Sequence, residues 1–177
     1  MMTKRNILIT GPPRCGKSTL IEKVVKRIEE PVTGFFTLEI KEKGSRVGFS
    51  INTLDGWEGI LAHQRSKSRF KVGKYGVNLK DIDSIAVPAM IPARKAEIVV
   101  IDEIGKMECF SSLFKETLIR VLSLSNWIIG SIAQKGDPFI QRIKERDDVL
   151  LITLTTQNRD ILVGQILDSI KPLSIAS

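Results

Sequence analysis

Residues 11–18 read Gly-Pro-Pro-Arg-Cys-Gly-Lys-Ser, the spacing G-x-x-x-x-G-K-[ST]. This run restricts what the chain can fold into more than any other, because it needs a strand before it and a helix after it. Ile7-Leu8-Ile9 is a short apolar run of strand type, and Leu20, Ile21, Val24, Val25 and Ile28 recur with the period of an amphipathic helix. Glycines at 11 and 16 let backbone N–H groups converge on an anion, and the helix dipole adds positive potential at the same end. Two glycines, a lysine and a hydroxyl residue at this spacing arise by chance in under about 1% of chains this long. A plain glycine turn capping a helix is therefore the weaker reading. The spacing predicts a nucleoside-triphosphate site in which Lys17 reaches the β- and γ-phosphates and the Ser18 hydroxyl ligates Mg²⁺.

A length of 177 residues suits one domain, expected over 1–177. No apolar run approaches the ~20 residues of a membrane span, and Met1-Met2-Thr3-Lys4-Arg5-Asn6 lacks the long apolar stretch of a secretory signal. The expectation is a cytoplasmic protein with no membrane contact, read as a monomer. Two cysteines, Cys15 and Cys109, form no disulfide framework. The net charge of +7 suits a highly anionic ligand as well as nucleic acid. Arg65-Ser66-Lys67-Ser68-Arg69-Phe70-Lys71 is the densest cationic run. It reads either as a phosphate-facing loop or as a polyanion contact, so nucleic acid is an allowed but not a required partner.

Residues 34–53 alternate in strand fashion, with Phe36, Leu38 and Ile40 on one face and Val47, Phe49 and Ile51 repeating the pattern after a turn at Gly44. An antiparallel hairpin is expected over about 33–54, followed by an irregular, lid-like segment over about 55–78. Residues 81–94 have helical spacing, against which Pro88 and Pro92 argue. From residue 97 strands alternate with helices: Ile98–Ile101, a stripe from Phe110 to Leu122, Trp127–Ile129, a helix starting at Asp137-Pro138, Leu150–Leu154, and a last helix with Asn158 as its cap. The fold class is α/β, a central, mostly parallel sheet covered on both faces with an inserted antiparallel hairpin.

The strand Ile98–Ile101 ends in Asp102-Glu103. Acids at the carboxyl end of a core parallel strand lie where open α/β folds bind ligands. Asp102 is placed to hold Mg²⁺ opposite Ser18, and Glu103 to orient and polarise the attacking water. Capping of the next helix is the bland alternative.

Gly11–Ser18, Gly34–Ile40, Arg46–Phe49, Val72–Val77 and above all Asp102-Glu103-Ile104-Gly105-Lys106-Met107-Glu108 together resemble the small thermophilic and cancer-related nucleoside-triphosphatase family. The likeness runs over nearly the whole chain and ends at Asn158-Arg159-Asp160. It implies a three-layer P-loop NTPase fold related to RecA, and Mg²⁺-dependent hydrolysis of ATP, GTP and other triphosphates to diphosphate and phosphate. It also implies that Gly11, Pro12, Pro13, Arg14, Cys15, Gly16, Lys17, Ser18 and Thr19 bind nucleotide, as do Val99, Val100, Ile101, Asp102, Glu103, Ile104, Gly105 and Lys106. Lys106 leads Lys74 and Arg94 as the cation for the transferring phosphoryl group. Arg159 reads as a base contact or a helix-start charge, Gln134 as a γ-phosphate sensor or the end of its strand, and Tyr75 and Phe70 as core residues ahead of stacking on the base. His63 is structural. A small-molecule or nucleotide kinase using the same loop, and a nucleotide-switched protein engaging nucleic acid, are the alternatives.

Overall fold

The structure, a computed structural model, describes residues 4–170. Met1–Thr3, on which part of the signal reading falls, lie outside the described residues, as does the C-terminal end of the expected domain. The apolar run before the glycine loop is strand β1 (Asn6–Thr10), buried along its length, and the loop enters helix α1 (Lys17–Val25), which buries Leu20, Ile21 and Val24. The hairpin follows as β2 (Val32–Glu42) and β3 (Ser45–Thr53). Its two turn residues, Lys43 and Gly44, both have positive φ, the geometry that joins twisted antiparallel strands most tightly.

Residues 55–78 are more regular than expected. They hold β4 (Glu58–His63), β5 (Lys71–Val72) and β6 (Tyr75–Val77), which extend the sheet in antiparallel fashion. The next passage is helical through α2 (Leu79–Asp81), a π-helical turn (Ile82–Ala86) and α3 (Val87–Ala89), where it stops. Pro88 lies within this helical run, directly after the π-helical turn in which the Val87 N–H bonds to the Ile82 carbonyl.

The regular α/β half comprises β7 (Ile98–Ile104), α4 (Ser112–Leu122), β8 (Ile128–Ile132), α5 (Pro138–Lys144), β9 (Val149–Thr153) and α6 (Arg159–Ile170). Ser111 caps α4 by accepting from the Phe114 N–H at 2.9 Å, and Asp137 caps α5 through the Ile140 N–H at 3.0 Å. Asn158 instead closes the turn before α6. Its Oδ1 accepts from the Thr155 N–H and its Nδ2 donates to the Thr153 carbonyl, both at 2.8 Å.

One nine-stranded sheet results, in the order β5-β6-β4-β3-β2-β7-β8-β1-β9. The five strands from β2 to β9 pair in parallel, and the four beyond β2 are antiparallel. Alternate side chains divide into two cores, one on each face. Ile7 and Ile9 pack with Leu20, Val24 and Ile166 on the α1–α6 side; Leu8, Val99 and Ile101 pack with Ile82, Phe114 and Ile140 on the other. Leu38 departs from the expected buried stripe. It is 46% exposed because the hairpin runs past the helical layer, whereas Phe36 remains inside. Among the described residues no helix is long and apolar enough to cross a membrane.

Candidate active site

The loop after β1 turns on Gly11 and Gly16, both with positive φ. At Gly11 a Cβ would lie 2.9 Å from the Cys15 sulfur and 3.3 Å from the Leu154 carbonyl oxygen, so glycine is needed for space as well as for angle. No side chain caps the start of α1, which leaves its first N–H groups available to an anion. The Lys17 ammonium donates to the Gly11 and Pro12 carbonyls at 3.1 and 3.2 Å, and so lies folded over the loop.

The acids arrive from β7, which is not the immediate neighbour of β1. Strand β8 lies between them and contributes Ser131, whose hydroxyl donates to Asp102 Oδ1. Asp102 is almost fully buried, and its Oδ2 has no hydrogen-bond partner. Burial pushes its pKa above the ordinary value, opposed by the nearby Ser131 and Ser18 hydroxyls and by the Lys17 charge. Ser18 thus lies close enough to favour the charged carboxylate, although no well-formed bond reaches Oδ2. Glu103 is also raised, by burial first and by Asp102 in addition, with Lys17 opposing.

Glu108 was not foreseen as part of this cluster. It is buried, and its carboxyl is pushed well above the usual range by burial and then by the charge of Glu103. Gly105 lets the acids approach: a Cβ there would meet Glu103 Oε1 at 2.8 Å and Glu108 Oε2 at 2.9 Å. The nearby Cys109 thiol is pushed up to about 12, chiefly by burial, which keeps it protonated and unreactive.

The loop and Glu103 open into one cavity of about 720 Å³. Gly11, Pro13, Arg14, Gly16, Lys17, Ser18 and Thr19 line one side; Glu103 lies on the β7 side; Ala133, Gln134 and Lys135 come from the end of β8. The hairpin closes the cavity with Glu39, Arg46 and Phe49. The sequence reading assigned none of these three to the site. The available signal was Arg46 three residues before Phe49 in a strand that also carries Val47 and Ile51.

Several predicted residues lie elsewhere. Val99, Val100 and Ile101 are sealed in the sheet and position the acids without reaching the cavity; Ile104 and Gly105 are buried beyond them. Lys106 is exposed on the turn after β7 and does not line the cavity. Arg94 precedes β7, at the opposite edge of the sheet, where its carbonyl accepts from Asn126 at 2.9 Å. Lys74 lies 5.5 Å from the Tyr75 ring centre. Tyr75 packs edge-on against Phe49 and Phe70 against Phe110, while His63 Nδ1 accepts from the Arg65 N–H. Cys15 and Arg159 line an adjoining cleft of about 210 Å³ with Arg14, Thr19 and Lys23. Pro12 meets Lys17 through its carbonyl. Among the described residues no three His, Cys, Asp or Glu side chains are grouped to hold a metal, so a cation here would draw on Ser18, Asp102 and oxygens of a ligand.

The sequence pattern of the family described as NTPase matches residues 6–167. The chain belongs to this family. Among NTPase relatives, the nucleoside-triphosphatase THEP1 of Thermotoga sp. (strain RQ2) is 43% identical over 166 residues, covering 93% of this chain and 95% of the relative. The human cancer-related nucleoside-triphosphatase is 37% identical, covering 94% and 97%. The crystal structure of THEP1 from Aquifex aeolicus superposes with a TM-score of 0.84 at 31% identity, over 94% of this chain and 99% of the other. The α/β sheet with its antiparallel extension is therefore the NTPase fold, and the likeness read from the D-E-I-G-K-M-E string holds along the chain.

Proposed function

We propose that this chain hydrolyses nucleoside triphosphates to the diphosphate and inorganic phosphate. One observation carries the reading: the uncapped start of α1 with Lys17 and the β7 acid Glu103 line a single cavity, with Asp102 buried beside Ser18. The names of the relatives support it. The loop amides and Lys17 bind the phosphate chain. Glu103 orients a water toward the γ-phosphorus and accepts its proton, while the P–O bond to the diphosphate breaks and the diphosphate leaves with the bonding electrons. Ser18 and Asp102 would hold Mg²⁺, and the unpartnered Asp102 Oδ2, buried beside the Ser18 hydroxyl, fits such a cation. Bound there, the metal would neutralise charge on the phosphate oxygens. Arg159, which shares a cleft with Arg14 and Cys15 of the loop, would contact the base.

We take the chain as one domain acting as a cytoplasmic monomer, without need of nucleic acid. The two free cysteines suit a reducing compartment. The test is phosphate release from each triphosphate, with and without candidate phosphoryl acceptors. Expected are turnover with triphosphate and Mg²⁺ alone, loss of nucleotide binding in Lys17→Ala, and binding without turnover in Glu103→Gln. Product that forms only when an acceptor is added would turn the assignment to a kinase.

A further inference from the structure

Hydrolysis at this site requires charge to be neutralised on the phosphoryl group as it transfers, and a cation aimed there contributes about 10³-fold or more. Besides Lys17, the cavity is lined by Arg14, Arg46 and Lys135. The Arg14 side chain is 75% exposed and Lys135 is exposed, so each would have to be ordered from solvent. Arg46 is already held. Its side chain is 32% exposed, Nε donates to the Tyr75 hydroxyl at 3.0 Å, and Nη1 donates to Glu39 Oε1 at 2.7 Å. The guanidinium lies 5.0 Å from the Phe49 ring centre and 5.6 Å from that of Tyr75. These two bonds use Nε and Nη1 and leave the Nη2 edge for a ligand.

The strand geometry aims the side chain. Ile40 pairs with Gly48 and Lys41 with Arg46, so Val47 is an extra residue in β3 and forms a bulge. Bulges bend a strand locally and redirect the side chains beside them. Here the redirected residue lines the same cavity as Lys17, Ser18 and Glu103.

We propose that Arg46 is a catalytic arginine supplied by the hairpin of the same chain, its guanidinium engaging the γ-phosphoryl oxygens opposite Lys17, with Tyr75 and Phe49 as positioning residues. The proposal rests on the hydrolytic reading above. The two N–H groups of Nη2 remain for the phosphoryl oxygens, and the hold of Tyr75, Glu39 and the rings fixes their direction, which a lysine's flexible point charge does not reproduce. Glu39, which also gathers Arg14 at 3.8 Å and Lys41 at 3.5 Å, keeps the hairpin's cations together at the cavity mouth.

The experiment uses the full chain as wild type, Arg46→Ala, Arg46→Lys and Tyr75→Phe, and measures kcat, KM, ADP affinity and capture of ADP with aluminium fluoride, a mimic of the transferring phosphoryl group. Expected for Arg46→Ala is a fall in kcat of about 10²–10³-fold and loss of the aluminium fluoride complex, with ADP affinity kept. Added guanidinium ion restores part of the rate. Arg46→Lys recovers part of kcat, and Tyr75→Phe lowers kcat by about 3–10-fold with KM unchanged. Parental kcat in Arg46→Ala overturns the proposal, as does a loss of kcat matched by an equal loss of ADP affinity. If Arg46→Ala fails to fold, Arg46→Lys decides: at least about a tenfold loss of kcat with intact ADP binding supports the role, and parental kcat refutes it. A wild type that releases no phosphate from any triphosphate removes the hydrolytic reading itself, an outcome distinct from an active wild type with an unaffected Arg46 variant.

Discussion

A carboxyl group enclosed as fully as Glu108 must either find a cation or give up its charge, and its neighbours are other acids. Burial, and then the Glu103 charge, raise its pKa well above the ordinary carboxylate value, while the backbone amides of Glu108 and Gly105 pull the other way. The folded state therefore holds the proton more tightly than the unfolded chain does. The stabilisation from that proton is complete below the unfolded value of about 4.3 and is lost as pH rises toward the raised folded value. Glu108→Gln keeps an acceptor for the Gly105 amide and removes the titration. Thermal unfolding should show the variant about 2–4 °C more stable than the parent at pH 8, roughly the shift that 1 kcal/mol produces in a chain of this size. At pH 4 the two should melt together. A gap of the same size at both pH values would mean that packing, not ionisation, separates them. At this scale the proximity of the loop to the acids at 102 and 103 was legible, because each sits in its own short motif. Lys106, singled out for its place in the same string, is exposed and outside the cavity lining. Closeness in sequence to Asp102 says nothing of the direction in which the turn after β7 presents its side chain.

Among the elements, the junction of β2 with β7 carries the hairpin toward the site. Gly34 pairs with Val100 there at a φ of 118°, and a Cβ built on it would lie 1.9 Å from the Val100 carbonyl oxygen. That obstacle is backbone at a fully buried position of a central strand and has nowhere to move. Gly34→Ala should destabilise the protein by more than about 3 kcal/mol, seen in urea titration as a lower midpoint. A loss below about 1 kcal/mol would mean that the two strands separate without penalty. The period-two signal exposed β2 and β3 to sequence reading because both are long. It failed over 55–78, where β5 and β6 have two and three residues, too few to display alternation. Gly76 there serves packing: a Cβ on it would meet Ser66 atoms at 2.8–2.9 Å.

Across the whole molecule, the excess of seven positive charges acts on encounter more than on fold. Part of the 65–71 cationic run is tied down, with Arg65 paired to Glu42 and Arg69 lying over the Phe70 ring at 5.0 Å. The cations that face a ligand are those around the cavity. Raising KCl from 50 to 500 mM should lower kcat/KM for a triphosphate by about 3–10-fold, mostly through KM, because screening shortens the reach of these charges. A kcat/KM indifferent to salt would show that nucleotide capture does not depend on them. Local rules decided the strand–glycine loop–helix unit, since backbone sterics and helix-end dipoles act over a few neighbouring residues and are written there. The α/β alternation after residue 97 and the acids ending its first strand were determined in the same way. Only the assembled sheet could decide the rest. Asp102 finds Ser131 twenty-nine residues away, and Arg46 finds Tyr75 at the same separation. Which cation faces the phosphates depends on a bulge and on an aromatic bed that come together only when distant strands pair.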